Sequence, residues 1–161
     1  MSGVGGTGGA RRRVARTGLP VAVAAVGGNA VAGRAALAWF AGLRRPRWQV
    51  PLPVFAGVGV AYYGAMTIVL DRADQRGDER ARRAALAVLA GNELWNVAFF
   101  GRRSPAAGFA GMLAFTVPVG VLLAAVREDR VSRALAGAYA LWVVGYDVPW
   151  SYRLWRLNPP S

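Results

Sequence analysis

The sequence contains no cysteine and no histidine, and all 20 of its basic residues are arginine. Without thiols there is no disulfide framework and no thiolate nucleophile. Without imidazoles as well, zinc sites of the usual kind and His-based acid–base catalysis are excluded. Charge is scarce: charged residues make up 17% of the chain, against ~25% in an average soluble domain. Hydrophobic residues make up 55% and the mean hydropathy is +0.30, which excludes disorder for most of the chain. A length of 161 residues is too short for two ordinary domains. Acids are scarcest, 8 against 20 arginines, for a net charge of +12. Such a balance suits nucleic acid, an anionic membrane surface or an acidic ligand.

The apolar residues are gathered into five long, nearly uncharged stretches, and that decides the class. They run from Leu19 to Phe40 (interrupted by Arg34), Val54 to Leu70, Ala84 to Phe100 (with Glu93 inside), Ala106 to Val126, and Ala134 to Trp155 (with Asp147 and Pro149 inside). A bilayer core ~30 Å thick needs ~17–25 helical residues to cross it, and all five fit. A soluble helix would show polar residues along one face, yet Phe109–Val126 shows only Thr116. The pattern predicts an all-α polytopic membrane protein, a bundle of five transmembrane helices over residues 19–158. A flexible basic tail, residues 1–18, precedes it.

The arginines fall between the stretches and are scattered over loops on both sides, not concentrated in the patch or stripe that nucleic acid needs. The lipid bilayer is therefore the expected partner, and nucleic acid is not. The tail and the second and fourth loops carry 12 arginines, the other side seven, with Arg34 inside the first stretch. By the positive-inside rule the N-terminus is cytoplasmic, the C-terminus external, and the protein resides in the cell membrane.

The glycines of Gly3–Gly9 loosely suggest a phosphate loop, but no Gly-Lys-Ser/Thr follows and no strand precedes. A secretory signal is the sharper competitor: Arg11–Arg13 and Arg16 as its basic region, Leu19–Val26 as its apolar core, Ala30-Val31-Ala32 as its cleavage site. Against cleavage, the apolar run resumes after Arg34 and reaches Trp39.

Six tryptophans are many for this length. An interfacial aromatic belt accounts for Trp39, Trp48 and Trp155, near the span ends. Trp95 and Trp142 lie deeper. Asn92, Trp95/Asn96 and Phe99 recur at helical spacing on the third span, and Tyr139, Trp142, Tyr146 and Trp150 on the fifth. Such stripes often mean packing alone, but these carry polar tips that lipid would leave unsatisfied, which turns them toward the bundle interior. Three charges, Arg34, Glu93 and Asp147, sit at membrane depth, where charge is costly and tends to be paired. An internal ion pair is the first expectation, a polar ligand anchor the second, with Glu93 beside Asn92 as the nearer ligand neighbour. Pro149 would kink or end the fifth helix.

Several of these residues stand in a familiar order. Trp39-Phe40-Ala41-Gly42-Leu43-Arg44-Arg45-Pro46-Arg47-Trp48 is followed by Pro51, Phe55, Tyr63 and Met66. The third span reads Asn92-Glu93-Leu94-Trp95, then Phe99-Phe100-Gly101-Arg102-Arg103. The last reads Tyr139-Ala140-Leu141-Trp142 and closes on Trp155-Arg156-Leu157-Asn158. From Trp39 to Asn158 this resembles the TspO/MBR family, the tryptophan-rich sensory and translocator proteins. The resemblance departs from the pattern at Val50 (for the first of two prolines), Gly59 (for Trp), Val88 (for Gln) and Trp150-Ser151 (where an Asn is expected). The stretch Gly145–Pro149 is one residue longer than the family spacing.

The resemblance implies a five-helix bundle, commonly a homodimer, with an internal pocket roofed by the first loop. Family members bind tetrapyrroles such as protoporphyrin and haem, and act as sensors, transporters or regulators of tetrapyrrole levels. The ligand-binding set it implies here is Trp39, Trp48, Phe55, Tyr63, Met66, Asn92, Trp95, Phe99, Tyr139, Trp142 and Trp150, with Arg44, Arg45 and Arg47 for ligand carboxylates. Aromatic faces suit a flat ring and arginine suits carboxylates. No cofactor is obligatory and no metal site is expected; porphyrin or haem is the expected ligand, and with no His or Cys strong axial ligation of iron is not expected. Two rival readings are a light-dependent porphyrin-degrading enzyme, with pocket tryptophans as photochemical partners, and a membrane assembly protein without a small ligand. For the latter, Gly57, Ala61 and Gly64/Ala65 offer a small-residue helix face.

Overall fold

The computed structural model of the protein describes residues 14–159. Among them every regular element is helical and none is a strand. The Gly-rich run and Arg11–Arg13 lie outside the described residues. The chain is already helical at Val14: a π-helical turn, Val14–Gly18, runs into α1 (Leu19–Val31). The last five residues of the segment read as a tail are thus continuous with the first helix.

The first apolar stretch is not one span. α1 stops at Ala32, Gly33 adopts extended backbone (φ −60°, ψ 172°), and α2 (Arg34–Ala41) starts afresh. Gly27, Gly28 and Gly33 fall in this region, and glycine costs ~1 kcal/mol per helical position relative to alanine. The break follows. α3 (Leu52–Gln75) is continuous, entered through Pro51 and Pro53, whose fixed φ suits a first turn. α4 (Glu79–Asn96) is capped by Asp78, whose carboxylate accepts the Ala81 N–H at 2.9 Å, and ends in a π-helical turn, Val97–Gly101. α5 (Pro105–Ala125) is capped by Ser104, whose Oγ accepts the Ala107 N–H at 3.2 Å. The fifth stretch divides into α6 (Arg130–Trp142), a π-helical turn, Val143–Asp147, and α7 (Val148–Leu157). Pro149 follows directly on this wider turn in a helix that continues without a break, and such a local π adjustment is one way a helix accommodates a proline's missing N–H.

Three helices among the described residues are long and apolar enough to cross a membrane: Leu52–Gln75, Glu79–Gly101 and Pro105–Ala125. The first stretch is divided at Gly33, and the last runs on as helix through its π-helical turn but carries more polar and charged residues, so three of the five expected spans stand out by length and apolarity.

α4 packs against α3 and α5, α3 against α6, and α5 against α7, while α1 leans on α4. Contacts at the two ends of the bundle are unlike. At one end Arg16 reaches Asp74 (2.9 Å) and Glu79 (3.0 Å). At that end also, Arg72 clamps Asp129 through Nε (2.7 Å) and Nη2 (2.6 Å), Ser132 Oγ donates to the same carboxylate at 2.6 Å, and Arg76 approaches to 3.4 Å. These donors hold the Asp129 carboxyl well below the usual carboxylate range, the Arg72 hydrogen bonds most of all. The segments joined here are the N-terminal helix start and the second and fourth loops, the three expected to share a side. At the other end the first loop, residues 42–51, is tied to α7.

The core divides the same way. One cluster is largely aliphatic, with Val69, Leu70, Ala85, Val88, Leu122, Val126 and Val143 among its members. The other is aromatic: Phe40, Phe99, Trp150 and Leu154, with Trp39, Phe55, Trp95, Phe100 and Tyr146 packed around them. Each edge-to-face or offset pair adds ~0.5–1.5 kcal/mol beyond area, so the loop end is held mainly by ring contacts.

Candidate functional site

A cavity of about 290 Å³ lies within the bundle, at the low end of the volumes usual for ligand sites, ~300–1,000 Å³. α3 contributes Leu52, Phe55, Val58, Gly59, Tyr62 and Tyr63. α4 and its π-helical turn contribute Asn92, Trp95, Asn96 and Phe100. The divided fifth stretch contributes Tyr139, Trp142, Asp147 and Trp150. Gly28, Ala32, Leu37 and Phe40 close it from α1 and α2, Met112 and Phe115 from α5. Val58, Tyr62, Tyr139 and Trp142 also form the wall toward a second apolar groove, between α3 and α6.

Rings position one another. Phe55 stands 5.5 Å from Trp150, 5.7 Å from Tyr146 and 6.4 Å from Trp142, centroid to centroid, all at steep angles. Trp142 and Tyr146 stack at 4.5 Å. They are four residues apart, and the π-helical turn that begins between them carries Asp147 into the cavity wall as well. Trp95 is fixed twice: its indole N–H donates to the Gly108 carbonyl at 2.9 Å, and its ring stacks on Phe99 at 5.3 Å.

The first loop covers the aromatic end. Trp48 meets Tyr146 edge-on at 5.5 Å, the Val50 N–H donates to Tyr146 Oη at 2.8 Å, and the Trp150 indole donates to Gln49 Oε1 at 3.1 Å. The Arg44 backbone is bound by Asn158. The Arg44, Arg45 and Arg47 side chains are exposed, and none lines the cavity. Arg45 donates to the Ala41 carbonyl at 3.5 Å, near the end of α2.

Glu93 lies one layer behind the wall. Its carboxylate accepts from Tyr63 Oη (3.2 Å), Asn92 Nδ2 (3.2 Å) and Asn96 Nδ2 (3.5 Å), three cavity residues. Gly28 makes room for it: a Cβ there would stand 2.8 Å from Glu93 Oε2 and 2.8 Å from Asn96 Nδ2. The expected internal ion pair does not form. Arg34 is exposed at the start of α2, and the ion pairs among the described residues join neither it, Glu93 nor Asp147. Uncharged donors surround Glu93 instead.

Of the residues expected from sequence, Phe55, Tyr63, Asn92, Trp95, Tyr139, Trp142 and Trp150 come together on the cavity. Four others do not line it. Met66 and Phe99 are buried in the two cores, Trp39 packs on Phe99 at 5.3 Å, and Trp48 lies in the covering loop. Asp147, not Glu93, is the acid in the wall. The cavity also takes in Tyr62, Met112 and Phe115, which helical spacing in the sequence does not mark. Tyr62 adjoins a marked residue, but the uniformly apolar fourth stretch gave no periodic signal for Met112 or Phe115.

Chemically the arrangement can stack a flat apolar molecule and hydrogen-bond to it. Among the described residues no group of His, Cys, Asp or Glu is arranged to hold a metal ion. Against known proteins, the TspO/MBR family model matches residues 16–149. The chain is also similar to the tryptophan-rich protein TspO of Archaeoglobus fulgidus, with 26% identity over 129 residues, 77% of this chain and 84% of that protein. The match runs across α1 to the start of α7, through every helix that lines the cavity, and the chain belongs to the TspO/MBR family.

Proposed function

We propose that this protein is a five-pass cell-membrane protein that binds a tetrapyrrole in the cavity and acts as a sensor, transporter or regulator of tetrapyrrole levels. The observation that carries the reading is the cavity itself. Trp95, Trp142, Trp150, Phe55 and Tyr139 converge on one space, drawn from three separate helical stretches. Rings placed so suit a flat, apolar macrocycle, and the loop arginines stand outside, where its carboxylates would emerge.

In this reading the divided first and fifth stretches each cross the membrane, which makes five passes. The basic excess on the Arg16, Arg72 and Asp129 end puts that end and the N-terminus in the cytoplasm. Reporter fusions at the two termini then report opposite sides; both termini on one side contradicts five passes. The exposed face of Gly57, Ala61 and Gly64 is compatible with a second copy packing there as a homodimer.

The test is a titration of the detergent-solubilised protein with protoporphyrin, read by tryptophan fluorescence quenching. Base-like stacking on an aromatic ring is worth ~1–3 kcal/mol, so Trp142→Ala and Trp95→Ala should each weaken binding about ten-fold or more. Unchanged affinity in both folded variants moves the ligand out of this cavity. Illumination of the complex, with the porphyrin bands followed against a dark control, separates binding from light-dependent breakdown.

A further inference from the structure

Asp147 is the one charged side chain among the residues lining the cavity, and no arginine lines it. It enters none of the ion pairs among the described residues. Arg44, Arg45 and Arg47 of the first loop are exposed on the surface. A carboxylate at membrane depth is costly unless a partner is supplied, and the Trp142 indole is an uncharged one. The second acid, Glu93, stands behind Tyr63 and Asn92, so the inner wall carries negative potential with no base to balance it.

The rings around Asp147 are those that would hold a cation. Trp142, Tyr146 and Trp150 lie within three residues or one helical turn and a half of it, and Phe55 faces all three at 5.5–6.4 Å. Aromatic faces attract cations, most strongly when the site is dry. Rings plus one acid make a recognisable cation site, distinct from a site for a purely hydrophobic ring. The π-helical turn Val143–Asp147 is what aims the acid inward: a regular helix would rotate position 147 relative to Trp142.

We infer that the cavity selects an aromatic ligand carrying a positively charged nitrogen, held by Asp147 among Phe55, Trp142 and Trp150. This rests on the reading of the cavity as the ligand site, and it adds a demand that ring stacking alone does not make. In a metal-free tetrapyrrole the imine-type ring nitrogens, once protonated, meet it.

The experiment compares two fluorescent probes of one shape, 1-pyrenemethylammonium and 1-pyrenemethanol, in nonionic detergent. Charge-assisted contacts should make the wild type prefer the ammonium by about ten-fold or more. Asp147→Asn should bring the two affinities together, chiefly by weakening the ammonium, and Asp147→Glu should keep most of the preference. Taking the ratio between wild type and variant cancels probe partition into micelles. Asp147→Ser replaces the Asn variant if that one does not fold. No preference in the wild type, or the same preference in a folded Asn or Ser variant, overturns the inference. Protoporphyrin titrated in parallel separates the two ideas. Binding of protoporphyrin without an ammonium preference leaves the tetrapyrrole reading standing and this one refuted. An ammonium preference without protoporphyrin binding does the reverse.

Discussion

Asn158 and Arg44, 114 residues apart in sequence, clasp each other through two hydrogen bonds. The Arg44 N–H donates to Asn158 Oδ1 at 2.9 Å, and Asn158 Nδ2 donates back to the Arg44 carbonyl at 2.9 Å. The same amide donates to the Leu154 carbonyl at 2.8 Å, which anchors it to the end of α7. One side chain therefore ties the start of the first loop to the last helix.

Removing that clasp should loosen the loop before it unfolds the bundle. Net hydrogen bonds are worth ~0.5–1.5 kcal/mol each, so Asn158→Ala should cost about 1–2 kcal/mol and Asn158→Asp less, since it keeps the acceptor. Trypsin offers a direct readout, because Arg44 and Arg47 become cleavable only when the loop lifts. The expected result is several-fold faster cleavage there than in wild type, with cleavage elsewhere unchanged. Equal rates would show that Trp48, Val50 and Gln49 hold the loop unaided.

Two glycines with opposite surroundings give a paired stability prediction. A Cβ on Gly108 would collide with Phe99 Cδ2, and Phe99 is almost fully buried among Trp39, Phe40, Trp95 and Trp150. The ring has nowhere to go, so Gly108→Ala should destabilise by about 1–3 kcal/mol and disturb Trp95, which donates to Gly108. A Cβ on Gly120 meets nothing within 4 Å. Gly120→Ala should therefore be neutral or stabilise by up to ~1 kcal/mol through helix propensity. Thermal unfolding of both variants in one detergent checks the contrast.

Acid should weaken the opposite end of the bundle. Asp129 has a folded-state pKa below its unfolded value because Arg72, Ser132 and Arg76 favour the carboxylate. Its contribution is therefore full above the ordinary aspartate pKa of ~3.9 and is lost as pH falls from there toward the folded value. Wild-type melting temperature should be level from neutrality to about pH 5 and drop below it. Asp129→Asn should start lower and show a smaller drop over the same range. A variant as stable as wild type at neutral pH would mean the clamp contributes nothing.

How much of this was legible in the sequence depends on what each signal measures. Hydropathy located α3, α4 and α5 because each holds an unbroken apolar run long enough to cross a membrane. It could not see the break at Gly33 or the π-helical turn before Val148, since a divided stretch keeps the same mean hydropathy as an intact one. Helical spacing marked Asn92, Trp95, Tyr139, Trp142 and Trp150 correctly as inward-facing. It also marked Phe99, which faces inward but packs among rings instead of opening on the cavity, and periodicity gives direction without depth. Asp147 was visible as a costly charge, yet its place in the wall depends on a local change of helical register. Helical spacing assumes an even 3.6-residue turn and so does not register that change.

The last prediction concerns the polarity that runs along the site. Acids lie inside, Asp147 in the wall and Glu93 behind it, while Arg44, Arg45 and Arg47 stand exposed on the covering loop. A ligand with carboxylates at one edge is driven by both ends to point them outward, repelled within and attracted at the loop. If the arginines instead serve only to hold the first helix at its depth, they respond to lipid charge and not to the ligand. Protoporphyrin and its dimethyl ester separate the cases, because they share a ring and differ in charge. Exposed ion pairs contribute ~0–1 kcal/mol and charge-assisted hydrogen bonds ~1.5–3. Neutralising the three arginines to Gln should therefore weaken the free acid by about three-fold to ten-fold or more and leave the ester nearly unchanged. Added salt should weaken the acid in wild type, since a site at the rim is screened within ~10 Å at 0.1 M, and should have little effect in the triple variant. Equal losses for acid and ester, or none for either, would assign the arginines to the membrane surface alone.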